Sequence, residues 1–193
     1  MDALKLTLAF SPWIAFWVIS MGHSILSLQI GILAAALLVG VMGITRLHRG
    51  AILWAGVGFF AFALVSVAWL KNEWVIRHLG ILASGTLFVA TALSIVFGRP
   101  FTEDYARDHV PKELWDSPDF IRSSYTVTCV WELIFLGNFF INIVKICWSQ
   151  SDGMWYQALE FGLIIFGILF TTLYARHARD NRAISLRAPD ESG

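Results

Sequence analysis

The chain has 193 residues, of which 57% are apolar and 15% are charged, and its 14 basic side chains balance its 14 acidic ones. A soluble domain of this length needs more polar surface, so the composition excludes that class and indicates a protein surrounded by lipid. The basic residues form no run suited to nucleic acid, and the lipid bilayer itself is the simpler partner for them.

The first apolar stretch is long enough for two membrane segments. It runs from Leu6 to Ile44, about 39 residues, whereas one crossing needs about 20. A turn at residues 20–24 divides it into a short first segment, about Leu6–Met21, and a second, about Ser24–Thr45. Pro12 either kinks or begins the first segment, so a re-entrant element is the alternative to a full crossing.

The rest of the chain predicts four more segments and one large polar interruption. The segments lie at about Ala51–Leu70, Ile76–Phe97, Ser123–Ile146 and Trp155–Ala175. The interruption, residues 98–122, predicts a loop with a short helix from Thr102 and a further turn at Lys112–Trp115. The charged residues 176–193 predict a disordered tail. Residues 1–175 therefore form one all-α domain, a polytopic membrane helix bundle of about six segments.

The distribution of basic residues predicts how this bundle is oriented. Eleven of the lysines and arginines fall at the N-terminus, in the turn at 46–49, in the loop at 98–122 and in the tail, and three fall on the opposite side. The positive-inside rule then places both termini in the cytoplasm. Six tryptophans near predicted helix ends suit an interfacial belt: Trp54, Trp69, Trp74, Trp115, Trp148 and Trp155.

Small residues four apart predict close contacts between helices. Gly31 with Ala35, Ala36 with Gly40, and Gly80 with Ser84 follow this spacing. Helices in lipid associate by close van der Waals approach, so these pairs predict a compact bundle.

The fifth segment carries the most polar residues, and they divide between two helix faces. Tyr125, Thr128 and Glu132 share one face, with Glu132 about 14 Å from the cytoplasmic end. An ionisable group at that depth is a candidate proton or cation site, with Thr128 as its hydrogen-bond partner. The alternative is a carboxyl that only locks helix packing.

The second polar face contains Asn138, Asn142 and Lys145. The two asparagines can bond to a neighbouring helix and hold the bundle together, while Lys145 extends to the interface. The hairpin between the fifth and sixth segments also predicts that Lys145 pairs with Glu160.

The central loop predicts a contact surface, with no catalytic constellation. Arg99, Tyr105, Arg107 and Trp115 supply charge and aromatic area suited to the headgroup layer or to a protein partner. The histidines do not have metal-ligand spacing, and the motifs of nucleotide enzymes, hydrolases and cysteine clusters are missing. The sequence therefore predicts no metal, no cofactor and no enzyme.

Several short motifs occur in a familiar order. They are Gly98-Arg99-Pro100, Val110-Pro111 with Trp115, Trp131 with Asn142-Ile143, Trp155, and the stretch from Tyr174 to His177. In this order they resemble the bacterial intracellular septation protein A family. The similarity covers nearly the whole chain, including the short first segment. It implies a multi-pass protein of the bacterial inner membrane, with a role in septation, cell division or cell-envelope maintenance and no catalytic residues. The partners it implies are division or wall-elongation proteins of the same membrane.

Other function classes stay open alongside this resemblance. A small proton-coupled transporter or ion channel could use Glu132, and would gain a larger pathway as a homo-oligomer. An accessory subunit of a larger membrane complex is the third hypothesis.

Overall fold

The computed structural model describes residues 8–21, 24–45, 50–107, 110–148 and 153–187. Over these ranges all regular structure is helical and no strand occurs, which confirms the all-α fold. Lys5, the basic turn at 46–49, the turn residues 150–152 and the end of the tail at 188–193 lie outside the described residues.

Within the described ranges, seven α-helices follow one another, joined by short connections. They are α1 (Ser11–Ser20), α2 (Ile25–Ile44), α3 (Ala51–Ala63), α4 (Glu73–Val96), α5 (Thr102–Arg107), α6 (Pro118–Cys147) and α7 (Gly153–Arg187). The end of α3 widens into a π-helix, Leu64–Trp69, and a 3₁₀ turn covers Lys112–Leu114. Local signals explain several helix starts. The side chains of Ser24, Asn72 and Ser117 each accept a backbone N–H bond at the first turn of α2, α4 and α6.

Five of these helices have the length and apolar composition to cross a membrane: α2, α3 with its π-helical end, α4, α6 and α7. Together with the short apolar α1 they form the helical membrane bundle that the sequence predicts. The chain is a multi-pass membrane protein. Five of the six belt tryptophans, Trp54, Trp69, Trp74, Trp148 and Trp155, are exposed on it.

The short helix α1 lies inside the bundle. Its ten residues span about 15 Å, half the thickness of a hydrocarbon core. Trp13 is 1% exposed and stacks on Phe59 of α3, with ring centroids 5.1 Å apart. Phe10, just before α1, contacts Phe101 of the central loop, whereas Ser20 lines a cavity with Lys145 near the far end of α6. The helix therefore leads from the middle of the bundle, where Phe10 stacks on Trp131 of α6, to the end at which Lys145 lies.

Small residues permit the closest helix contacts, although only at some predicted positions. Gly31 and Ala35 of α2 are buried, and a side chain at Gly31 would meet the Phe16 carbonyl oxygen of α1 at 3.2 Å. Gly80 of α4 lies directly beneath the side chain of Asn142. Gly40 has open space around it, so the predicted contact at that glycine is wrong for this chain.

Two boundaries differ from the sequence-based expectation. Helix α6 begins at Pro118, five residues before the predicted start, because Ser117 caps it and Pro118 is favourable in a first turn. Helix α7 continues to Arg187, so residues 176–187 are helical where a disordered tail was expected. Alanine, arginine and leucine in that stretch are strong helix formers, and a preceding helix spares them the cost of nucleation.

Candidate functional site

A polar cavity of about 210 Å³ lies at the end of the bundle opposite the central loop. Residues of α1, α2, α4, α6 and α7 line it. Its polar members are Ser20, Ser84, Asn138, Asn142, Lys145, Gln157 and Glu160. Intramembrane polar residues are costly and usually mark a functional position, which makes this cavity the candidate site.

An ion pair joins two walls of the cavity. The Lys145 Nζ of α6 lies 3.3 and 3.4 Å from the two carboxylate oxygens of Glu160 on α7, which confirms the pair that the hairpin predicts. Charge-assisted N–H···O bonds are usually about 2.7–2.9 Å long, so this pair is loose. The two side chains are 29% and 22% exposed, which leaves both charges reachable from the cavity.

Two residues that line the cavity each contain an uncharged polar atom that is unsatisfied. Ser20 Oγ and Asn138 Oδ1 are buried without a hydrogen-bond partner among the described residues. Such atoms are rare in native proteins, because each costs about 1–3 kcal/mol when left unpaired. Because both residues line the cavity, rotation of either side chain would offer its unpaired oxygen to a polar molecule beside the loose ion pair.

The sequence predicts that Asn138 and Asn142 both bond to a neighbouring helix, and only Asn142 interacts with one. The Asn142 amide donates a 2.8 Å bond to the backbone oxygen of Asn138 in its own helix, and its side chain also interacts with Glu160 of α7. Asn142 therefore links two helices, as expected. Asn138 lines the cavity and is 2% exposed, and its carbonyl oxygen is buried and unpaired, so that oxygen does not supply the predicted bond to a neighbouring helix.

The Glu132 face is separate from this cavity. Thr128, the expected partner of Glu132, instead bonds to the Thr102 hydroxyl of α5 at 2.7 Å. Tyr125 lies near Gly98. One carboxyl oxygen of Glu132 is buried and finds no hydrogen bond within the described ranges. The hypothesis of a proton or cation site at Glu132 stays a prediction, now without its proposed partner.

The central segment folds into a defined surface, which differs from the expected one at one residue. Arg107 forms a 2.5 Å ion pair with Glu103 and lies 5.0 Å from the centre of the Trp115 ring. Trp115 donates its indole N–H to the Val110 oxygen at 2.9 Å. Tyr105 is 4% exposed and packs on Phe101, so it supports this surface from beneath and cannot be one of its contacts.

Sequence reasoning missed three of the cavity residues. The sequence predicts a turn at Ser20, although a serine that ends a short buried helix is a signal of a polar end. The spacing of Ser84 predicts only helix packing, and no pattern marks Gln157; all three residues line the cavity. Among the described residues, no group of three or more histidine, cysteine, aspartate or glutamate side chains could hold a metal ion.

Comparison of the chain with protein-family models, with curated proteins and with solved structures gives no match.

Proposed function

We propose that this is a non-enzymatic membrane protein that binds a small zwitterionic solute, such as an amino acid, as the binding step of a small transporter. One observation carries the proposal. The loose Lys145–Glu160 pair lines the same cavity as Ser20 and Asn138, the two residues with unpaired polar atoms. The proposal moves the transporter hypothesis from Glu132, at the middle of α6, to the polar cavity near the end of that helix.

The cavity has partners for both charges of such a solute. A carboxylate can replace Glu160 as the neighbour of Lys145 and accept a bond from the Ser20 hydroxyl. An ammonium group can take the place of Lys145 beside Glu160 and donate to Asn138 Oδ1. Every charge separated from its old partner then regains a partner of opposite sign, so the exchange avoids an uncompensated charge.

The size of the cavity restricts the solute further. A volume of about 210 Å³ equals the liquid volume of about seven water molecules at roughly 30 Å³ each, and lies below the range of about 300 Å³ and more typical of drug-sized ligands. The proposal is therefore limited to compact solutes.

Equilibrium binding of labelled L-alanine to the protein in lipid nanodiscs tests this proposal. L-alanine is expected to bind, and N-acetyl-L-alanine and L-alaninamide, each lacking one charge, should compete at least about tenfold more weakly, a difference of about 1.4 kcal/mol. Lys145→Met and Glu160→Gln should each weaken L-alanine binding by a similar factor. Glu132→Gln is the matched control, because it neutralises an intramembrane carboxylate outside the cavity.

Two results would refute the proposal. One is a dissociation constant for L-alanine above about 10 mM, too weak for a site with two opposite charges. The other is an equal loss of binding in Glu132→Gln and Glu160→Gln, with both variants monodisperse, because binding would then not depend on the cavity.

A second proposal follows the resemblance: a role in septation or cell-envelope maintenance in a bacterial inner membrane, through protein partners. It is favoured by the ordered surface of the central segment, where Arg107 and Trp115 form one cation–aromatic contact. Aromatic and arginine side chains are the residue types enriched at the energetic centres of protein interfaces. Homo-oligomers or a larger membrane complex would use the same surface.

Quantitative mass spectrometry of proteins extracted with the tagged chain tests the second proposal. Division or wall-synthesis proteins should be recovered, and Trp115→Ala and Arg107→Ala should each reduce their recovery at least about tenfold. Trp69→Ala is the matched control, since this tryptophan is 84% exposed at the π-helical end of α3, at the opposite end of this helix from Gly50 and the central segment. Recovery that is no higher than with the tag alone, or that is unchanged in Trp115→Ala, would count against the proposal.

A further inference from the structure

A second cavity, of about 820 Å³, lies at the opposite end of the bundle from the polar one. It is a groove along α4, between the start of α3 and Phe139 of α6, and it is open along one side. Its walls are mostly apolar: Ala51, Ala55, Ile81, Leu82, Gly85, Val89, Ala90, Leu93, Phe97, Phe101 and Phe139. The groove is deep because small residues, such as Gly85 and Ala90, form its floor.

The groove is longer than the hydrocarbon part of one membrane leaflet. From Ile81 to Phe97 it follows 16 residues of helical rise, about 24 Å, whereas half of a hydrocarbon core is about 15 Å thick. An acyl chain can therefore lie along α4 within the groove. A soluble ligand would have to reach this apolar surface through lipid.

Two opposite charges stand where the groove reaches the end of α4. Arg99 and Asp104 both line it, and neither forms a direct ion pair with a described residue. The Asp104 carboxylate is held against Gly50, where any side chain would collide with it, at the N-terminal end of α3. Loss of hydration is the main cause that raises the pKa of Asp104. The positive charges of Arg107 and Arg99 lower this pKa, and the negative charge of Glu103 raises it further.

These charges discriminate between lipid headgroups. The Arg99 guanidinium suits a phosphate, which it can contact with two parallel N–H bonds. Asp104 disfavours a headgroup with net negative charge and suits an ammonium group that donates hydrogen bonds. A quaternary ammonium has no N–H to donate, so it satisfies Asp104 less well.

We propose that the groove binds one phospholipid with a free amine in its headgroup, of the phosphatidylethanolamine type. One acyl chain lies along α4, the phosphate contacts Arg99 and the ammonium contacts Asp104. This lipid site goes beyond the solute and partner functions, and it shares no lining residue with the polar cavity.

Native mass spectrometry of the detergent-purified protein, titrated with dioleoyl lipids of three headgroups, tests the proposal. Phosphatidylethanolamine is expected to bind at least about tenfold more tightly than phosphatidylcholine or phosphatidylglycerol. Asp104→Asn should abolish this preference, and Arg99→Gln should weaken the binding of all three lipids. Ala90→Phe should reduce all lipid binding by filling the floor. Leu37→Phe, at a position 62% exposed on α2, is the matched control for added aromatic surface.

Equal binding of the three lipids would overturn the headgroup assignment. If the Ala90→Phe variant binds lipid as well as the unaltered protein, the acyl chain does not lie in the groove. Lys145→Met should leave the lipid preference intact, so a failure of the solute proposal does not affect this result.

Discussion

Replacing Trp13 with alanine is expected to lower the free energy of unfolding by about 3–5 kcal/mol. Trp13 is 1% exposed, stacks on Phe59 and packs against the tilted ring of Phe60, with centroid distances of 5.1 and 4.8 Å. Lipid cannot fill the interior cavity that its removal leaves, so the van der Waals contacts of the surrounding rings are lost. Thermal and SDS-induced unfolding in mixed micelles, followed by far-ultraviolet circular dichroism, measures the loss.

The matched control for Trp13→Ala is Trp54→Ala. Trp54 is 72% exposed and contributes little to internal packing, so its removal should cost less than about 1 kcal/mol. Equal losses in the two variants would mean that α1 is not part of the core.

Replacing Gly31 with valine is expected to cost about 3 kcal/mol, the upper end of the range for overpacking. The added Cβ alone would meet Ser20 Oγ at 2.6 Å and the Phe16 oxygen at 3.2 Å. The serine side chain can rotate away, whereas the backbone oxygen cannot move without displacing α1. The same unfolding measurement therefore reports on the α1–α2 contact.

Gly40→Val provides a control within the same helix. Nothing lies within 4 Å of a Cβ at Gly40, so valine there should change stability by no more than about 0.5 kcal/mol. If both variants unfold alike, the loss reflects the general effect of valine in α2 and not the contact with α1. Because Ser20 lines the polar cavity, Gly31→Val should also weaken L-alanine binding.

The sequence predicts the helices well because membrane thickness and hydrogen-bond satisfaction restrict a span to a long apolar helix. The runs that became α2, α4 and α6 needed no further information. The Lys145–Glu160 pair was also predictable, because a short connection places the end of one helix beside the start of the next.

The contacts between helices and the polar cavity depend on how each helix is rotated about its axis, and hydropathy does not encode this rotation. Gly31 and Gly40 both lie within the apolar sequence of α2, yet one faces α1 and the other faces open space. Glu132 has the strongest single-residue signal, but the polar groups that converge lie on another face of α6 and on α1, α4 and α7. Tyr105 looked like a surface aromatic because its buried contact with Phe101 depends on how α5 folds back on α6.

The position of α1 has a consequence for the order of biogenesis. A segment of ten helical residues is too short to be stable across lipid by itself, yet its rings fill the centre of the bundle. Helices α2, α3 and α6 supply the surfaces on which Phe10, Trp13 and Phe16 pack. Although α1 is synthesised before these helices, it therefore reaches its final place after them, and their insertion completes the site to which it contributes Ser20.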